Sequence, residues 1–105
     1  MSERIEKIKE MLSKSPDDLF LNHALALEYI KAGNENEAQE RFEKNQLTDA
    51  NYVATYYHLG KLLERAGKIN EAIDVYQKGM AVAREIKDNH SLSELRSACE
   101  DLEDM

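Results

Sequence analysis

The stretch AGNENEA at residues 32–38 returns as AGKINEA at residues 66–72, with Ala, Gly, Asn, Glu and Ala recurring in place 34 residues apart. A fixed period of about 20–50 residues marks a chain built from stacked copies of one small unit. Such a unit cannot bury its apolar face alone, so the period decides the architecture before any local propensity does. Each copy of the phrase places a Gly where a helix ends and an Ala where the next is under way.

Working outward, the apolar residues fall at helical spacing. Before Gly33, Leu21, Leu25, Ala26 and Tyr29 predict a helix over 16–32, with Ser15 as N-cap, Pro16 at the first position and Asp17 and Asp18 in the first turn. Gly33 then closes it in the left-handed conformation. Asn34 and Glu37 form a capping-box pattern for a third helix that buries Ala38, Phe42 and Leu47. Thr48-Asp49 restarts the chain, with Asp49 capping a helix over 50–66 that carries Tyr52, Tyr56, Leu59, Gly60 and Leu63. Gly67 ends that helix. The next runs from Ile69 through Ala72, Ile73, Tyr76 and Met80 to Lys87, because Ala83-Arg84 offers no stop signal.

The flanks follow the same rule. Ile5, Ile8 and Leu12, with Met11 beside them, predict one apolar stripe on a charged helix over 2–14. After a break at Asp88-Asn89-His90, a capping box of Ser91 and Glu94 opens a helix that buries Leu92, Leu95, Cys99 and Leu102. Its outer face is acidic, as suits a terminal cap. The chain has one Pro, four Gly and no Trp in 105 residues, so an all-α fold is expected throughout.

Charge narrows the partners. The net charge is −7, which argues against nucleic acid or an anionic membrane surface. From Asp88 onward six acids face one base, so this stretch holds −5 of the total. Cys99 is the one cysteine and excludes an internal disulfide. The charged start MSERIEKIKEML lacks a signal core, and no apolar run approaches the roughly 20 residues of a membrane span. A cytoplasmic protein is expected. His23, His58 and His90 lack metal-ligand spacing, no Gly-rich phosphate loop is present, and Cys99 lies on an apolar stripe. No metal, cofactor or catalytic set is expected, and the chain does not read as an enzyme.

Tyr56, Leu59, Gly60, Leu63, Ala72, Tyr76 and Gly79 in the second copy, and Leu25, Ala26, Tyr29, Ala38 and Phe42 in the first, resemble the tetratricopeptide-repeat family. The first copy departs at Asn22, where a large aromatic is usual, and at Asn45, where a small residue is usual. The closing Pro is Ala50 in one copy and Arg84 in the other. The resemblance implies a short, stand-alone all-α solenoid of antiparallel helix pairs in a right-handed superhelix. Residues 1–15 would form an N-terminal half repeat, 16–49 and 50–87 two repeats, and 88–105 an acidic capping helix, all in one domain.

The resemblance also implies a protein-interaction module that binds a peptide or partner segment on a concave face. Carried over position by position, the groove receives His23, Leu27 and Lys31 from the first copy and Tyr57, Lys61 and Arg65 from the second, with Phe20 at its start. The i, i+4, i+8 spacing keeps each set on roughly one helix face. Lys61 and Arg65 make the second stripe basic and point to an acidic segment. The family's grip on chaperone carboxylates needs Lys and Asn where this chain has His23, Leu27 and His58, so that activity is not expected. The alternative is self-association into a homo-oligomer, through solenoid ends or by entry of one copy's acidic tail into another's groove.

Overall fold

The computed structural model describes residues 2–105, and among them every regular element is a helix. In chain order these are α1 (Glu3–Lys14), α2 (Leu19–Lys31), α3 (Glu35–Thr48), α4 (Ala54–Arg65), α5 (Ile69–Glu85) and α6 (Asn89–Glu103). The described residues form two compact units, one through Tyr52 and one from Val53 to Met105.

In the first unit the Ser2 side chain caps α1, accepting from the amides of Arg4 and Ile5. Ile5, Ile8 and Leu12 are buried and cluster with Leu25, while Leu21, Ala24 and Tyr29 pack alongside. Burying three such side chains contributes about 1.5–3 kcal/mol each, so α1 is firmly packed against α2. The Arg4 guanidinium adds a bond from α1 to Glu28 on α2 at 3.1 Å. Met11 faces outward.

Three helix starts differ from the sequence reading. Ser15 does not cap α2; its amide bonds back to Met11 and Leu12, so it closes α1. The cap is Asp18, whose carboxylate accepts from Leu21 N at 2.8 Å, and α2 begins at Leu19 rather than Pro16. Asp49 likewise closes α3. Its carbonyl and carboxylate accept from Tyr52 and Asn51, which ties a turn and delays α4 to Ala54. In α6 the cap is Asp88 and not Ser91: one carboxylate oxygen accepts from Ser91 N and the other from Ser91 Oγ.

The helix ends follow the glycines. Gly33 (φ 82°) and Gly67 (φ 79°) are left-handed. Asn34 N bonds to Tyr29 O and Gly33 N to Ile30 O, the paired bonds of a Schellman end. Lys68 and Gly67 repeat the pattern on Leu63 and Glu64. Asn34 stands at the N-cap of α3, but its side chain makes no capping bond. The expected capping box is excluded because the Asn34 amide is already spent on α2. α5 ends at Glu85, near the expected Lys87, and Lys87 itself takes the left-handed position (φ 63°). Leu47, expected inside, is 91% exposed. Asn45 holds the inward position three residues after Phe42, and Leu47 is turned well away from that face.

Within each unit, paired helices meet through complementary sizes. A Cβ on Gly60 would lie 2.6 Å from Tyr76 Cδ1 and 2.7 Å from Cζ. A Cβ on Gly79 would lie 2.5 Å from Tyr56 Cβ and 3.0 Å from Leu95 Cδ1. Both aromatics are buried, and the Tyr76 hydroxyl donates to Glu64 Oε1 at 3.0 Å. The first copy solves the same geometry otherwise. Ala26 and Phe42 replace Gly60 and Tyr76, and the polar pair Asn22 and Asn45 replaces Tyr56 and Gly79. Asn22 donates to Pro16 O and Asp18 O and accepts from Arg41; Asn45 donates to Leu19 O. The carbonyls of Pro16, Asp18 and Leu19 at the entry to α2 thus take up the N–H groups of both buried amides.

Candidate functional site

Two adjoining clefts open between α4 and α6 in the second unit. One, of about 250 Å³, is walled by Val53, Ala54, His58 and Leu95, with Ser91 at its side. The other, of about 380 Å³, is walled by Lys61, His90, Ser97 and Asp101. Tyr57 and Glu94 line both and therefore join them into one groove. The first half is mainly apolar, and the second is polar.

Local structure explains why these side chains arrive together. Tyr56, Leu59, Gly60 and Leu63 hold the buried face of α4. That leaves Tyr57 and Lys61, one turn apart, on its flank. Leu95, Ala98, Cys99 and Leu102 seat α6. His90, Glu94, Ser97 and Asp101 follow at i, i+4, i+7 and i+11 and share one face. Burial pushes the Cys99 thiol up from its ordinary range, followed by the effect of Glu103, so it is no ready nucleophile.

Tyr57 is half-buried, with its ring edge-on to His58 at 5.5 Å between centroids. Lys61 Nζ lies 5.6 Å from the Tyr57 ring centroid and 3.8 Å from Glu64 Oε1, the oxygen that also accepts from Tyr76. The cation is thus shared between a ring face and a carboxylate of its own helix. Glu94 Oε1 lies 3.7 Å from His90 Nε2. Burial lowers the pKa of His58, and the Glu94 charge opposes that shift.

The structure brings Tyr57 and Lys61 to this groove and leaves Arg65 exposed at the end of α4. In the first unit Phe20 is 69% exposed and Leu27 is half-buried. Lys31 is exposed and lies 3.6 Å from Glu28. His23 is half-buried, its ring packing 5.7 Å from Phe42 and 6.0 Å from Tyr52. The contribution of α6 is absent from the sequence-based site. Its signal was available in the spacing of His90, Glu94, Ser97 and Asp101, but the repeat pattern stops before α6.

The first unit has a separate groove of about 480 Å³ where Lys9, Tyr29, Arg41 and Lys44 surround Leu12 and Leu25. Its cations are engaged within the unit: Arg41 donates to Asn22, Lys44 lies 2.8 Å from Asp17, and Lys9 sits 6.0 Å from the Tyr29 centroid. None of the sequence-predicted site residues lines it.

Residues 3–79 match the family model described as anaphase-promoting complex, cyclosome, subunit 3. A tetratricopeptide repeat-containing protein of Pseudomonas aeruginosa is 30% identical over 91 residues, covering 87% of each chain. A tetratricopeptide repeat domain protein from Salinibacter ruber has a crystal structure that is 45% identical with a TM-score of 0.80, covering 84% of this chain and 98% of that one. Its solution structure gives 46% and 0.83, with coverage of 86% and 91%. The TPR2B domain of yeast Sti1, solved as a complex with pHsp70, superposes with a TM-score of 0.87 at 17% identity, covering 95% and 80%. That last likeness is one of fold.

Proposed function

This chain belongs to the tetratricopeptide-repeat family, and from that premise we propose that it is a protein-interaction module with the groove between α4 and α6 as a binding site for a partner segment. The half-exposed Tyr57 ring at the junction of the two clefts carries the reading. A tyrosine offers broad amphipathic contact area at low entropic cost. The apolar cleft beside it takes a side chain, and the polar cleft fixes register through Lys61, Ser97 and α6 carboxylates. A groove this short, with one aromatic anchor and a few exposed polar contacts, fits affinities of roughly micromolar order. The complex formed by the Sti1 domain gives a precedent on the same fold. Phe20, His23, Leu27 and Lys31 in the first unit are proposed as a second, weaker contact stripe, and Arg65 as an outlying one.

Selection of random peptides displayed on phage tests the reading, followed by amide chemical-shift mapping with the purified winners. Shifts should concentrate on α4 and α6 and vanish in a Tyr57→Ala variant. Peptides that shift instead the residues around Lys9, Tyr29 and Arg41 would overturn it, as would a selection that enriches nothing.

A further inference from the structure

The geometry points to a specific occupant for this groove: an extended segment that pairs an apolar side chain with a lysine or arginine about three residues further on. This rests on the groove between α4 and α6 being the binding site, and it names the partner's chemistry.

Lys61 gives the sequence its basic stripe, but in the folded chain its charge is already answered by Glu64 and by the Tyr57 ring. The wall opposite comes from α6 and brings Glu94 and Asp101 into the same cleft. Both are exposed. Glu94 faces His90, which is a cation only when protonated, and Asp101 forms no ion pair among the described residues. Glu94 and Asp101 therefore bring two carboxylates to the cleft, against one lysine already shared with a third. An acidic side chain entering there meets like charge, and a cationic one meets its complement.

The apolar half supplies the second element. Val53, Ala54 and Leu95 flank the N-terminal side of Tyr57, Glu94 stands at the junction of the two halves, and Asp101 lies beyond it. Six helical residues separate Leu95 from Asp101, about 9 Å along α6 at roughly 1.5 Å per residue. An extended chain advances about 3.3 Å per residue, so about three residues span the two halves. The Tyr57 ring would lie under the connecting backbone.

The test uses the full chain and three fluorescein-labelled octapeptides read by anisotropy. All carry one leucine in a Gly/Ser background; the residue three positions on is lysine, glutamine or glutamate. An exposed ion pair changes affinity by about 1.4-fold to 5-fold, so lysine should exceed glutamine by roughly that factor and glutamate should bind weakest. The lysine advantage should shrink as salt rises. In a Glu94→Gln, Asp101→Asn variant lysine and glutamine should bind alike. Both positions are exposed, so the amides leave the fold intact, as circular dichroism checks. A glutamate preference, or a lysine preference that survives the double variant, overturns the proposal. Equal binding of all three peptides overturns the charge assignment and leaves the groove standing. Binding of none, with no shifts on α4 and α6, removes both.

Discussion

Replacing Gly60 with alanine adds one methyl group at the tightest contact in the second unit. The new Cβ would sit 2.6 Å from Tyr76 Cδ1 and 2.7 Å from Cζ, well inside contact distance. The ring cannot easily retreat, because Tyr76 is fully buried and its hydroxyl is tied to Glu64. Overpacking typically costs about 1–3 kcal/mol, and a Cβ this close to several atoms of one buried ring belongs in the upper part of that range, about 2–3 kcal/mol. Alanine returns about 1 kcal/mol of helix propensity at an interior position, so the net loss should be roughly 1–2 kcal/mol. For a domain of this size that is a fall in melting temperature of roughly 4–16 °C. Urea unfolding followed by circular dichroism measures it, provided the m-value is unchanged. The first copy suggests the rescue. There Ala26 lies in the place of Gly60 and Phe42 in the place of Tyr76, and both are fully buried. Adding Tyr76→Phe to Gly60→Ala frees the ring from Glu64 and lets it slide, so the two changes should cost less together than their sum. A Gly60→Ala variant as stable as the parent, or a double variant that loses the full sum, would refute close packing as the reason for the glycine.

The capping assignments separate two residues that look alike in sequence. Asp18→Ala should cost about 1 kcal/mol because it removes a real bond to Leu21 N, whereas Asn34→Ala, which loses no capping bond, should stay within about 0.5 kcal/mol; equal losses in thermal melts would contradict this. His58 gives a pH dependence. Burial holds its pKa below the ordinary value of about 6.5, so the unfolded chain takes up the proton first as pH falls. The stability it contributes is present above about pH 6.5 and is lost as pH falls through its lowered value. His58→Gln should flatten that part of the stability profile, and an unchanged slope would sink the assignment.

The helix ends at Gly33 and Gly67, with the starts of α3 and α5 just after them, were legible in the sequence, whereas the starts of α2, α4 and α6 were not, for one physical reason. A left-handed position after a helix is nearly reserved for glycine, so Gly33 and Gly67 leave little choice. N-caps have several eligible residues, and the chain offers rivals at each junction. Ser15 lost to Asp18 because its amide was needed to finish α1, and Ser91 lost to Asp88, whose carboxylate takes both Ser91 donors. Lys87 shows the opposite failure: a left-handed end on a residue that carries no mark of it.

The candidate site was half legible in the same sense. Helical spacing alone put Tyr57 and Lys61 on a common flank, and the structure places both in one groove. The opposing wall lay beyond the repeat pattern, so Glu94 was read only as a capping residue and neither it nor Asp101 was placed in the site. With that wall missing, Lys61 looked like an open basic stripe. Asn22 and Asn45 were visible as departures from the repeat, but their role depends on the carbonyls of Pro16, Asp18 and Leu19, which only the folded turn brings within reach.

These packing contacts also explain why the groove holds its shape. Gly79 is where the three helices of the second unit meet: its missing side chain admits Tyr56 from α4 on one side and Leu95 from α6 on the other. Tyr56 and Leu95 are buried neighbours in sequence of Tyr57 and Glu94, the two residues shared by both clefts. The spacing of the groove walls is therefore set by a glycine that does not line the groove. The Gly60–Tyr76 contact fixes α4 against α5 one turn further along, beside Lys61. A binding site built on helices locked in this way pays little ordering cost when a segment enters. The same residues that make the repeat recognisable in sequence thus hold Tyr57 in place, while the residues proposed to choose the partner lie on neighbouring positions that differ between the two copies or fall beyond them.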